Sequence, residues 1–133
     1  MDGDTVTVLD TSRMQHRVRL AGIDAPEKKQ GFGEISKQNL ARLVFGKFVM
    51  VQYDKRDRYD RIVGKVLVDG RDACLRQIQD GLAWHFKRYE KEQSAADRIT
   101  YAAAEEQARI ARRGLWREPQ PVPPWEFRKS RKS

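Results

Sequence analysis

Asp2 and Asp4 flank a glycine at the start of the chain, and Asp24 and Glu27 bracket the dipeptide Ala25-Pro26. Arg19 stands shortly before the second pair, and Arg61 follows later in the charged stretch Asp57-Arg58-Tyr59-Asp60. Carboxylates are hard oxygen ligands suited to Ca²⁺ or Mg²⁺, and no cluster of Cys or His offers a softer metal a home. A cation on Asp4 and Asp24 can bridge a phosphodiester oxygen and stabilise charge in the transition state. A carboxylate beside it can take a proton from water, and two guanidiniums can grip a phosphate through paired N–H donors. The chemistry suggested is metal-assisted phosphoryl transfer. Each segment alone has a plainer reading. Asp2-Gly3-Asp4-Thr5 is a common turn sequence, and Asp24-Ala25-Pro26-Glu27 can simply end a strand. Arg19 can be a solvent-facing strand residue, and Arg61 can belong to a solvated charge run.

Those residues must be positioned by short elements. Thr5 to Leu9 alternates Val6 and Val8 with threonines and predicts a strand, followed by a polar turn over residues 10–13. A second strand is expected from His16 to Ile23, with Val18 and Leu20 on one face and Arg17 and Arg19 on the other. Pro26 cannot donate to a ladder, so the strand must end there. Ile35, Leu40, Leu43 and Val44 recur at helical spacing from Glu34 to Phe45, with Gly46 placed to stop the helix. Strands are expected over residues 47–53 and 61–68, the latter closed by the turn Asp69-Gly70. A short helix should run from Asp72 to Asp80 and a long one from Ser94 to about Arg113, each stopped by a glycine. This order predicts an α+β fold, mainly β: a small OB-fold-like Greek-key barrel with three helices packed on it. Residues 118–133 hold four of the five prolines and end in basic residues. They read as a tail that lies over the domain or is disordered, with Arg128 contributing only salt-sensitive binding.

Composition narrows the class. The chain has 133 residues, enough for one domain with one core. Hydrophobic residues make up 39%, charged residues 35%, and the formal net charge is +8, so the surface must be strongly solvated and attractive to polyanions. Cys74 is the sole cysteine, which excludes an internal disulfide; its apolar neighbours suit a buried structural thiol. No apolar run reaches membrane-spanning length, and no segment of this chain reads as an export signal, so the compartment stays open.

Three segments then combine. Asp2-Gly3-Asp4-Thr5, Arg19-Leu20-Ala21-Gly22-Ile23-Asp24-Ala25-Pro26-Glu27 and Asp57-Arg58-Tyr59-Asp60-Arg61 resemble, in order and separation, the signature segments of the staphylococcal nuclease (thermonuclease) family. Asp80-Gly81-Leu82-Ala83-Trp84 and Arg113-Gly114-Leu115-Trp116 are also similar, so the resemblance spans residues 1–117. It implies a calcium-dependent, sugar-nonspecific nuclease acting on DNA and RNA, favouring single strands and leaving 3′-phosphate products. One Ca²⁺ would be held by Asp4, Asp24 and the carbonyl of Ala25, with Asp2 as a further acidic neighbour. Glu27 would activate water, and Arg19 and Arg61 would bind the scissile phosphate. Trp84 and Phe86 would stack on a base, with core packing as the alternative for each, and Lys87 would extend the groove. Family members are commonly exported, so a periplasmic or extracellular place is what the resemblance favours.

The sequence departs from the family at Ala25, where threonine is usual, and at Asp60, where glycine is usual and where a negative charge would sit beside Arg61. The family strand that precedes Asp-Gly-Asp is also expected to be missing, which would expose a barrel edge. The protein is then expected to be a monomer whose open edge could admit a second copy. The competing reading is a catalytically weak or inactive nucleic-acid-binding module on the same fold.

Overall fold

The computed structural model describes residues 2–131. Strand β1 (Thr5–Leu9) and β2 (Gln15–Leu20) form an antiparallel hairpin. Asp10 closes its turn by accepting from the amides of Ser12 and Met14 at 2.8 and 3.0 Å, as short polar side chains do in turns. The second strand stops earlier than its alternation suggests. Gly22 takes a left-handed φ of 79°, and the chain bends there. Ile23–Asp24 then forms a separate strand, β3. That bend turns Asp24 away from the main ladder.

Helix α1 (Gly33–Val44) follows, then the antiparallel pair β4 (Met50–Arg56) and β5 (Ile62–Val68). β5 lies parallel to β2, which gives a sheet in the order β1-β2-β5-β4. Asp69 and Gly70 both have positive φ, the geometry of a tight hairpin turn, and lead into β6 (Arg71–Asp72). Helix α2 (Ala73–Gln79) is capped by Asp72, whose carboxylate accepts from Leu75 N–H at 3.0 Å. Strand β7 (Trp84–His85) pairs with β3, setting Asp24 opposite Trp84. Helix α3 (Ala95–Ile110) begins at Ser94, which caps Asp97 N–H, and Gly114 follows it with positive φ.

The core lies between sheet and helices: Val18, Leu20, Ile62 and Val66 from the strands, Leu40 from α1, Cys74 and Ile78 from α2, and Tyr101 from α3. Cys74 is fully buried, and that burial pushes its thiol up to about 12, as expected for a structural cysteine. The buried face of α1 differs from the apolar spacing. Ile35 is 52% exposed, while Ser36 and Asn39 are buried because both are hydrogen-bonded.

The α+β, OB-like architecture is therefore present, with four α-helices among the described residues where three were expected. Residues 124–130 form α4 (Pro124–Ser130), opened by a proline in its first turn. The sheet curls until its edge strands β1 and β4 line one apolar groove of about 920 Å³, together with Val44 and Phe45 at the end of α1. Among the described residues no strand lies between those edges. No helix among them is long and apolar enough to cross a membrane.

Candidate active site

The start of β1 is held by a close approach. A Cβ on Gly3 would lie 1.9 Å from Ser36 Oγ, so only glycine fits, and Gln77 Nε2 donates to the Gly3 carbonyl at 2.7 Å. Asp4 is thereby fixed beside the end of β2, where Leu20 N–H donates to its carbonyl at 2.8 Å. Its side chain accepts from Thr5 Oγ1 at 3.1 Å and from Ala25 N–H at 2.9 Å. Asp4 and Asp24 are 5% and 1% exposed. Arg19 joins them: its Nη2 lies 3.8 Å from Asp4 Oδ2 and 3.8 Å from Asp24 Oδ1, while Nη1 donates to the Leu20 carbonyl at 2.8 Å.

Glu27 follows on a tight turn in which Gln30 N–H donates to the Glu27 carbonyl at 2.8 Å. Gln30 Oε1 accepts from Glu27 N–H at 3.0 Å. Gly33 admits this turn against α1, since a Cβ there would lie 1.9 Å from the Glu27 carbonyl oxygen. Burial pushes the Asp24 carboxyl above the ordinary range; Arg128 pulls it down and the charge of Asp4 adds to the rise. Burial also raises Glu27, and the charge of Asp2 adds to that.

The cation that answers these carboxylates comes from an unexpected place. Arg128 on α4 donates from Nη2 to Asp24 Oδ2 at 2.6 Å and from Nη1 to Asp24 Oδ1 and Glu27 Oε1 at 3.3 Å each. The reading of Arg128 as a tail residue contributing only salt-sensitive binding is thus corrected: a helix too short to predict carries it into the acidic cluster. Sequence signals for it existed. A tryptophan in a proline-rich tail is costly to leave in water, and Pro124 suits a first helical turn.

Arg61 is placed differently from Arg19. It precedes β5 on the face shared with Arg19, because Arg19 pairs with Val63 and side chains alternate. Its Nε donates to Asp57 Oδ2 at 2.8 Å, and its guanidinium lies 5.4 Å from the Tyr59 ring centre. Burial alone would raise Asp57, but hydrogen bonds from the Arg61 and Tyr59 amides and from the Arg61 guanidinium hold it below its usual value. Asp60 adopts φ 59°, the left-handed conformation for which glycine would be the easy choice. Its carboxylate pairs with Arg56 at 3.4 Å, so its charge is not spent on Arg61.

The expected base-stacking pair is divided by the structure. Trp84 is 6% exposed and packs edge-on against Trp116 and Trp125, with ring centres 4.5 and 5.5 Å away. It is a core residue, which corrects the stacking role. Phe86 is half-buried, and Trp125 lies nearly parallel on it at 5.3 Å and 18°. Lys87 gives its ammonium to the buried Glu105 at 2.8 Å, so it is committed to a structural pair. Trp84→Ala should lower stability by about 3–5 kcal/mol, as large aromatic deletions in cores do. Phe86→Ala should leave the thermal midpoint much closer to the parent value. Equal midpoints for Trp84→Ala and the parent in thermal melts would return Trp84 to the surface role.

The donor set suits a hard divalent cation. Asp4 and Asp24 are buried and share the Arg19 guanidinium, a pair of oxygen donors that a metal would exploit. Among the described residues no three ligating side chains converge. Two carboxylates and a backbone carbonyl such as that of Ala25 would therefore have to serve, with water completing the shell, as Ca²⁺ permits.

The family model described as "Staphylococcal nuclease homologue" matches residues 17–118. That span holds Arg19, Asp24, Glu27 and Arg61; Asp4 precedes it and α4 follows it. An uncharacterized endonuclease of Escherichia coli is 42% identical over 129 residues, 96% of this chain and 80% of that protein. An uncharacterized endonuclease of Haemophilus influenzae is 38% identical over 131 residues, 98% of this chain and 70% of that protein. A staphylococcal-like nuclease of Arabidopsis thaliana is 38% identical over 116 residues, 87% of this chain and 34% of that protein.

Proposed function

This chain belongs to the staphylococcal nuclease family, and on that premise we propose that it is a calcium-dependent nuclease cleaving DNA and RNA without regard to the sugar and leaving 3′-phosphate ends. The observation that carries the reading is the buried pair Asp4 and Asp24 sharing Arg19, with Glu27 linked to Asp24 through Arg128.

Asp4, Asp24 and the Ala25 carbonyl would hold one Ca²⁺, which when bound supplies Lewis-acid polarisation of the phosphodiester. Glu27, three residues after Asp24 and stiffened by Pro26, takes the proton of the attacking water. Arg19 donates to a non-bridging oxygen of the phosphate from beside the carboxylates. Arg61, on the same face of the sheet, grips the phosphate with its outer nitrogens while Asp57 fixes its Nε, and it assists the leaving 5′-oxygen. Phe86 offers the stacking face, which favours unpaired bases because stacking is indifferent to sequence but needs an open ring. All these residues come from one chain, so the nuclease is read as a monomer, and the family's usual export as its destination. A catalytically silent nucleic-acid-binding module is the second reading. One observation favours it, the hold of Arg128 on Asp24 and Glu27; retention of Arg19, Asp24, Glu27 and Arg61 weighs against it.

The test is cleavage of single-stranded DNA by the purified chain with Ca²⁺ and with excess chelator. Cleavage should stop in chelator, and the products should resist 3′-end extension by a polymerase until a phosphatase removes the end phosphate. Undiminished cleavage in chelator would overturn the metal role, and no cleavage with any divalent ion would favour the binding module.

A further inference from the structure

Three groups that the proposed nuclease needs free are each engaged by residues 122–128. Asp24 gives both carboxylate oxygens to Arg128, at 2.6 and 3.3 Å, and Glu27 gives Oε1 to the same guanidinium. Phe86 has its face covered by Trp125, near parallel at 5.3 Å, where a base would stack. Gln30, which holds Glu27 N–H, donates from Nε2 to the Val122 carbonyl at 2.6 Å. The segment is seated by Pro124, which is buried, and by the edge of Trp125 against Trp84.

We propose that α4 is an internal occupant of the active site: Arg128 holds Asp24 and Glu27 in place of the metal, Trp125 covers Phe86 in place of a base, and Ca²⁺ and nucleotide bind as α4 lifts. The inference rests on the nuclease reading given above. The physical basis is competition for the same lone pairs. A bidentate guanidinium on a carboxylate and a divalent cation on that carboxylate cannot both take its oxygens in full. A double charge beats a single one when both are dehydrated, but the cation must first displace the internal partner, and its apparent affinity falls by that factor. By linkage, metal must weaken α4 docking as much as α4 docking weakens metal. The attachment is suited to release. α4 has only seven residues, and the Arg128 side chain is 40% exposed, so water can enter as the contact opens.

The test uses the full chain, calcium chloride and two readouts. Calorimetric titration should show Arg128→Gln binding Ca²⁺ about tenfold tighter than the parent, the scale of losing one charge-assisted hydrogen-bonded competitor. Hydrogen exchange in the parent should show the amides of residues 126–131 exchanging faster with saturating Ca²⁺ than without it. Removing a positive charge could tighten metal binding without any movement of α4, so exchange in the unmodified parent is decisive. Unchanged or slower α4 exchange on Ca²⁺ binding would overturn the proposal and leave the nuclease reading intact. Absence of Ca²⁺ binding by both the parent and Arg128→Gln would overturn the metal reading and the proposal with it. Should Arg128→Gln not fold, Trp125→Ala loosens the same segment without touching the charges. It should likewise bind Ca²⁺ more tightly than the parent, and equal affinity would count against α4.

Discussion

Glu27→Gln should slow phosphodiester cleavage by about 10²–10⁴-fold, the range for losing a positioned general base, with the thermal midpoint nearly unmoved. The amide keeps an oxygen to accept from Arg128, and the backbone N–H keeps its bond to Gln30 Oε1, so the turn that carries the side chain is retained. The sign of the stability effect follows from the pKa. Burial, and then the charge of Asp2, raises the Glu27 carboxyl in the folded protein above its usual value. Its ionisation therefore opposes folding: stability is fullest below the unfolded-state pKa and declines as pH rises through the folded one. The neutral amide removes that opposition, so Gln should be neutral or slightly stabilising at pH 7. Activity runs the other way, because the base works deprotonated. The parent's rate should climb as pH passes through this raised value, and the Gln variant should lose that limb. Arg71→Ala, at an exposed position on β6, is the control and should keep its turnover. Full turnover in Glu27→Gln, measured in the same assay, would take the role of base away from this residue.

Much of this site could be read before any coordinates. Local rules sufficed where the cause was local: alternation set β1, Gly81 with left-handed φ ended α2, and Ser94 capped α3, although at the end of α3 Arg112, ahead of Gly114, takes the left-handed conformation. The carboxylates and Arg19 were visible because they flank one strand and its end. What could not be read depends on contacts distant in sequence. Arg128 meets Asp24 and Glu27 across 104 and 101 residues; Pro124 and Trp125 hint at a docked helix but not at where Arg128 lands. Gln77 and Ser36 look like ordinary polar helix residues, yet they fix Gly3 and thus Asp4. The run Leu82-Ala83-Trp84 is apolar enough to be core. Family likeness drew Trp84 toward the nucleotide, but pairing with β3 and packing by Trp116 and Trp125 decided its burial. Ile35 shows the reverse error, an apolar residue at plausible helical spacing that the hydrogen-bonding needs of Ser36 and Asn39 turn to solvent.

Arg19→Lys should lower turnover by about 10²–10³-fold, the cost of removing one donor aimed at charge that develops in the transition state. Arg19 is the group that Asp4 and Asp24 share, each at 3.8 Å, and its other terminal nitrogen is anchored on the Leu20 carbonyl. One planar fork thus fixes its own orientation and still presents N–H groups beside the carboxylates. An ammonium keeps the charge but has no fork, so it can satisfy the backbone carbonyl or reach the phosphate, not both with good geometry. Retaining the charge matters for interpretation. Arg19→Ala would leave two buried carboxylates short of a cation and would be expected to cost about 3–5 kcal/mol of stability, which confuses folding with chemistry. With Lys the fold and the metal affinity should hold. The loss should then fall on kcat more than on KM, because the missing interaction grows as charge builds on the phosphate. Arg61→Lys should show a smaller defect in kcat and a clear loss of stability in the 57–61 turn, since Asp57 receives both the Nε and the amide of Arg61. A purely structural Arg19 would give the opposite pattern: a lowered thermal midpoint with kcat per folded molecule equal to that of Arg71→Ala. That result, obtained with Arg19→Lys, would remove Arg19 from the phosphate and leave it as the counter-charge of the acidic pair alone.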